Sequence, residues 1–161
     1  ISEFGLAKNL KIAPAKAREY ISSYFATYPE VKNYLDSCKE KAKASGYAIT
    51  YLKRRRYIRE LLSSSFTVRQ FGERVAMNMP LQGSAADLIK VAMINVYNRL
   101  KNEGLKSELI LQVHDELIVD AFKEEKDLVE KILREEMENA VKLSVVLTVD
   151  VGTGETWFDA K

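Results

Sequence analysis

The chain's 161 residues and 18.3 kDa, 47% hydrophobic and 30% charged, are the make-up of one ordinary soluble domain with enough apolar matter for a real core. They exclude a disordered tract, a collagen-like repeat and a disulfide scaffold; Cys38 alone can build neither an internal bridge nor a cysteine-rich zinc site. The net charge of +2 hides an asymmetry, because residues 1–74 carry 15 basic and 7 acidic side chains whereas residues 75–161 carry 10 and 16. The first part suits a polyanion and the second suits metal ligation or solvated helix faces, with an idle charged surface as the plain alternative.

The chain opens Ile-Ser-Glu-Phe-Gly, without an initiator Met or a basic-then-apolar leader, and reads as a piece of something longer. From Pro14, the positions Ala17, Tyr20, Ile21, Tyr24, Phe25 and Tyr28 recur at three and four, predicting an amphipathic helix that stops near Pro29. Pro29 opens a second helix along Val31, Tyr34, Leu35, Cys38 and Ala42, with Gly46 where a left-handed cap belongs; the two should form a hairpin. Residues 47–52 are β-rich and run into Lys53-Arg54-Arg55-Arg56, and Ser63-Ser64-Ser65 reads as a loop or cap. Helical spacing covers 68–79, is interrupted at Pro80, and resumes after Gly83 along Leu88, Val91, Ala92, Asn95 and Leu100 as far as Gly104. That predicts a long helix with a break.

The period then changes. Residues 109–113 and 117–121 predict two apolar strands of a β-hairpin around His114-Asp115-Glu116. Residues 123–141 predict a helix with acids in its first turn, where the dipole favours them, and Leu128, Val129, Ile132, Leu133, Met137, Ala140 and Val141 facing inward. Residues 145–151 predict a last strand. Gly152-Thr153-Gly154-Glu155 lacks the third glycine and the following helix of a phosphate loop and reads as a turn. Apolar runs such as 109–111 and 145–147 fall far short of the roughly 20 residues of a membrane helix, so no membrane partner is expected; the single Cys38 reads as that of a reducing compartment, which a cytoplasmic location fits best.

Two constellations carry chemistry. A tight reversal between apolar strands normally takes Asn-Gly or Gly-X, yet here it holds an imidazole and two carboxylates, which points to a site; a polar solvated turn is the plainer reading. Carboxylates beside a basic half suit Mg²⁺, which takes one or two of them and completes its shell with water and phosphate oxygens. Asp115 is the better ligand. A two-metal site needs a second carboxylate from another element, and Asp87 and Asp120 are the nearest alternatives in sequence, one on a predicted helix and the other at the far end of a strand. The single histidine excludes a His-rich zinc site, and a Ser/His/Asp triad would need Asp115 to orient its own neighbour. In the second constellation Arg74, Asn78 and Gln82 are spaced by four and form one polar row on a continuous helix. Such a row can reach the minor-groove acceptors common to every base pair, or it is an ordinary polar face.

Taken together, ERVAMNMPLQGSAADLIK at 73–90 and QVHDEL at 112–117 resemble the C-terminal part of a family A DNA polymerase of the bacterial DNA polymerase I type. The resemblance extends over nearly the whole chain, from Phe4-Gly5-Leu6-Ala7 to the stretch around Trp157. It implies an α+β fold: a helical fingers remnant with a basic DNA-contacting segment over 1–66, then part of a palm over 67–161, with a short antiparallel sheet packed on helices. It implies that Asp115 is a catalytic, metal-binding aspartate, Glu116 its acidic neighbour and His114 the residue approaching the primer end. Arg74, Asn78 and Gln82 would track the minor groove of the primer-template, and Arg54, Arg55 and Arg56 would lie near the template backbone. There the chain departs from the family pattern, with Lys53 where Gly is common and Arg59-Glu60 where Pro-Asp is common.

The activity implied is Mg²⁺-dependent addition of deoxynucleoside triphosphates to a primer on a DNA template, in replication and repair, in the bacterial cytoplasm at the nucleoid. The first palm aspartate and the triphosphate-gripping fingers helix would precede Ile1, so only one aspartate of the two-metal site is identified. The isolated chain is therefore expected to be inactive without the missing N-terminal part. A non-catalytic DNA-binding module is the alternative from another class, and a metal-dependent nuclease a third.

Overall fold

A computed structural model describes residues 2–160. Five helices and two antiparallel strand pairs alternate along them: α1 (Glu3–Leu10), α2 (Pro14–Thr27), α3 (Pro29–Ser45), β1 (Tyr47–Ile49), β2 (Arg55–Tyr57), α4 (Phe66–Asn102), β3 (Glu108–Val113), β4 (Glu116–Asp120) and α5 (Lys126–Glu138), with short 3-10 turns at Arg59–Leu62 and Lys123–Glu125. This is the expected α+β class. The chain divides into two compact units: residues up to Ala48 with Arg55–Pro80, and Ile49–Arg54 with everything from Leu81.

In the first unit, punctuation sets the helices. Ser2 caps α1, its hydroxyl accepting from Gly5 N–H at 3.1 Å, and Pro14 and Pro29 occupy the first turns of α2 and α3, where a missing N–H is harmless. Gly46 ends α3 at φ 79°, as its left-handed cap role predicts. Helix α1, which the sequence reading did not assign, packs against α2 and is tied to it by a forked Arg18–Glu3 pair at 2.6 and 2.9 Å. The core gathers Ala42, Ala48, Ile58, Ala76 and Met79, with Leu61 and Val75 against it; four of these seven are Ala or Val, so the backbones approach closely. Lys43 and Glu73 pair across it at 2.9 Å.

In the second unit, Val96 and Leu100 of α4 meet Val129, Ile132 and Leu133 of α5, with Leu105, Leu109, Leu117, Val119, Met137 and Val151 packed around them. Arg99 holds α5 to α4 through Glu135 at 2.7 Å and Glu136 at 2.9 Å. The Glu125 carboxylate accepts from the backbone N–H groups of Lys106 and Ser107 and from the Ser107 hydroxyl, which itself accepts from Phe122 N–H. That network pins both outer ends of the β3–β4 hairpin.

Several expectations are corrected. Helix α4 runs unbroken through Pro80 and Gly83, because buried side chains before and after them outweigh the local cost of a helix-interior proline. The β-rich run, expected over 47–52, ends at Ile49, and Arg55 and Arg56 of the basic run form the returning strand β2. Residues 145–151 form no strand; the segment is held instead by α5, Val149 N–H donating to Glu138 and Arg134 donating to Val149 C=O. The end of α5 also falls earlier than expected, leaving Ala140 and Val141 beyond it, and Leu128 is exposed. Residues 152–154, expected to turn, form no turn, and the chain reverses later, at 157–160; a β-carbon on Gly152 would lie 1.9 Å from Ala160 C=O, so only glycine fits there.

Candidate functional site

The β3–β4 hairpin closes with two residues. Val113 pairs with Glu116, so His114 and Asp115 form the reversal, and a register shift between Leu109 and Leu111 rotates the outer half of β3. Leu109, Leu117 and Val119 point to the core, anchoring the ribbon whose tip is polar. His114 adopts φ 51°, a left-handed conformation uncommon for residues other than glycine, and the Gln112 amide donates to its carbonyl at 2.6 Å, bracing the turn. His114, Asp115 and Glu116 are all exposed. The expected grouping of an imidazole and two carboxylates at one tip is present. Among the described residues no group of three or more His, Cys, Asp or Glu side chains is arranged to hold a metal ion.

Asp87, an alternative second acid by sequence, is committed elsewhere. It is only 2% exposed, and its Oδ2 accepts from Thr50 Oγ1 at 2.5 Å while its Oδ1 accepts from Arg54 Nε at 2.6 Å. The Thr50 hydroxyl, then the Arg54 guanidinium, hold its carboxyl below the usual carboxylate range against the opposing effect of burial. The other alternative, Asp120, sits opposite Glu108 at the far end of the ribbon.

The basic run divides by contact. Arg54 lies on Asp87; Arg55 places its guanidinium 4.9 Å from the Tyr47 ring centre, and Tyr47 in turn meets Tyr57 edge-on. Arg55 and Arg56 stand on β2 and all three arginines are exposed. Arg74, Asn78 and Gln82 are exposed residues of the uninterrupted α4, with Arg74 5.8 Å from the Phe71 ring centre. The sequence reading missed Gln112 as a brace and Thr50 with Asp87 as a clamp.

Residues 1–159 match the family described as DNA polymerase family A. The chain belongs to that family. Over its full length it is 52% identical to DNA polymerase I of Geobacillus stearothermophilus, 50% to that of Caldicellulosiruptor bescii and 49% to that of Bacillus subtilis. It spans 18–19% of the length of these relatives. Among solved structures, 99% of the chain superposes with a TM-score of 0.95 and 46% identity on 28% of the POL domain of Pol1 from M. smegmatis, in complex with DNA primer-template and dNTP. No helix of the described residues is long and apolar enough to cross a membrane.

Proposed function

We propose that the chain is the C-terminal portion of a bacterial DNA-directed DNA polymerase, a nucleotidyltransferase that extends a primer 3′ end from deoxynucleoside triphosphates on a DNA template in replication and repair, in the cytoplasm at the nucleoid. Residues 1–66 are read as a fingers part and 67–161 as part of the palm. The observation that carries this is full-length identity of about half to three DNA polymerases I, with the His114-Asp115-Glu116 tip braced rather than built from ordinary turn residues.

The donors at the tip suit Mg²⁺. Asp115 and Glu116 offer exposed carboxylate oxygens, the donor type a hard cation takes when water and phosphate oxygens complete its shell. Asp115 would hold the ion, and when bound it neutralises phosphate charge and activates the attacking hydroxyl. The second carboxylate belongs to the part of the polymerase outside this chain, since Asp87 is occupied by Thr50 and Arg54. Glu116 adds negative charge beside Asp115, His114 approaches the primer end, Arg74, Asn78 and Gln82 follow the minor groove, and Arg54, Arg55 and Arg56 follow the template backbone. Alone, without the other aspartate and the triphosphate-binding helix, the chain does not extend primers.

The test is primer extension by the complete polymerase. Asp115→Ala is expected to abolish extension while leaving primer-template affinity within a few-fold of wild type. Unchanged extension would favour a non-catalytic DNA-binding module, and shortening of the labelled primer by the wild type without any extension would favour a nuclease.

A further inference from the structure

A buried acid in the second unit has no part in that mechanism. Asp87 is almost wholly enclosed, yet its partner Arg54 keeps 60% of its side-chain surface in solvent. Segment 50–54 folds on itself around this contact: Thr50 N–H donates to Arg54 C=O at 2.9 Å, Arg54 N–H donates to Thr50 Oγ1 at 3.0 Å, and Lys53 N–H donates to Thr50 C=O at 3.0 Å. Lys53 takes φ 68° to close the loop. The loop is fastened to α4 at two points, Tyr51 N–H on Ser84 Oγ at 2.8 Å and the Thr50–Asp87–Arg54 contacts.

The clamp acts at the inner nitrogen of the arginine. With Nε bound at 2.6 Å, the rotation of the guanidinium is restrained while 60% of the side chain stays in solvent, which leaves the group able to meet a phosphate through two parallel hydrogen bonds. A side chain already fixed loses less rotamer freedom on binding. Stability alone is a weak reason for the arrangement, because an ion pair with one partner largely in solvent contributes little.

We propose that Asp87 is a positioning residue that, with Thr50, holds the Arg54 guanidinium in the orientation in which it takes a backbone phosphate of the template strand. This rests on the reading of Arg54 as a DNA contact, and the test separates the two. In the complete polymerase, primer-template affinity is measured across a salt series for wild type, Arg54→Ala, Asp87→Asn and the double variant. Arg54→Ala is expected to weaken binding several-fold and to reduce the salt slope by about one. Asp87→Asn, with the arginine still present, is expected to reproduce most of both effects, and the double variant to be no worse than Arg54→Ala.

If Arg54→Ala moves the slope and Asp87→Asn lowers only the unfolding midpoint, Asp87 is structural and the proposal falls, while Arg54 remains a DNA contact. If Arg54→Ala itself changes neither affinity nor slope, the DNA-contact reading falls and the proposal with it. Should Asp87→Asn fail to fold, Thr50→Val and Thr50→Ser decide. A reduced slope for valine restored by serine supports the clamp, and a wild-type slope for valine overturns it.

Discussion

At His114 the backbone is left-handed, at φ 51°, a conformation that costs a residue with a β-carbon roughly 1–2 kcal/mol. Glycine would enter it freely and forfeit only about 0.5–1 kcal/mol of unfolded-chain entropy. His114→Gly is therefore expected to leave stability unchanged or raise it by up to about 1.5 kcal/mol in chemical denaturation, while lowering primer extension by the complete polymerase. A loss of stability in the glycine variant would mean that the imidazole is there for the turn. This tip was legible in sequence because all three residues are adjacent and the usual turn residues are missing. The clamp was not. Thr50 and Arg54 stand 37 and 33 residues from Asp87, and Asp87 lies nine residues before buried Val96, about two and a half helical turns, hence on the opposite side of α4 from the apolar stripe Ile89, Ala92, Val96 and Leu100. Periodicity marks that side as solvent; a loop from elsewhere in the chain covers it.

Among elements, those bounded by their own punctuation could be read directly. Pro14, Pro29 and Gly46 delimit α2 and α3, and the switch from period 3.6 to period 2 marks β3 and β4. What failed was whatever depends on distant packing. Pro80 is a helix breaker by local rules, worth about 3 kcal/mol in a helix interior, yet α4 passes through it with Ala76 and Met79 buried on one side and Ile89, Ala92 and Val96 on the other. The 145–151 run has strand composition, but among the described residues the β3–β4 sheet holds only two strands and α5 takes the segment's hydrogen bonds. The proline gives a test of how far packing outweighs propensity. Pro80→Ala supplies the amide donor and removes the ring clash, at the expense of some contact from a half-buried ring. It is expected to raise stability by about 1–2 kcal/mol, read as a higher denaturation midpoint at unchanged m-value. A lower midpoint would mean that the ring is a packed part of the core.

Across the whole molecule, charge decides what the chain attracts, and the structure changes how the count of charges should be read. The acidic excess after residue 74 is in good part engaged internally: Asp87 on Thr50 and Arg54, Glu125 on the start of β3, Glu135 and Glu136 on Arg99, and Glu138 on Val149 N–H. The run at 54–56 instead presents three exposed arginines, one aligned by a buried carboxylate and one stacked on an aromatic ring. If these meet phosphates, three condensed counterions are released on binding, and the salt slope is about −0.9 for each. Affinity of the chain for primer-template DNA is then expected to fall about 40-fold between 50 and 200 mM salt, whatever the DNA sequence. Replacing Arg55 and Arg56 together by alanine should reduce the slope by about two, measured by fluorescence anisotropy on duplexes of unrelated sequence. A slope unmoved by the double replacement would show that the basic run does not reach the DNA backbone and that the affinity comes from elsewhere on the surface.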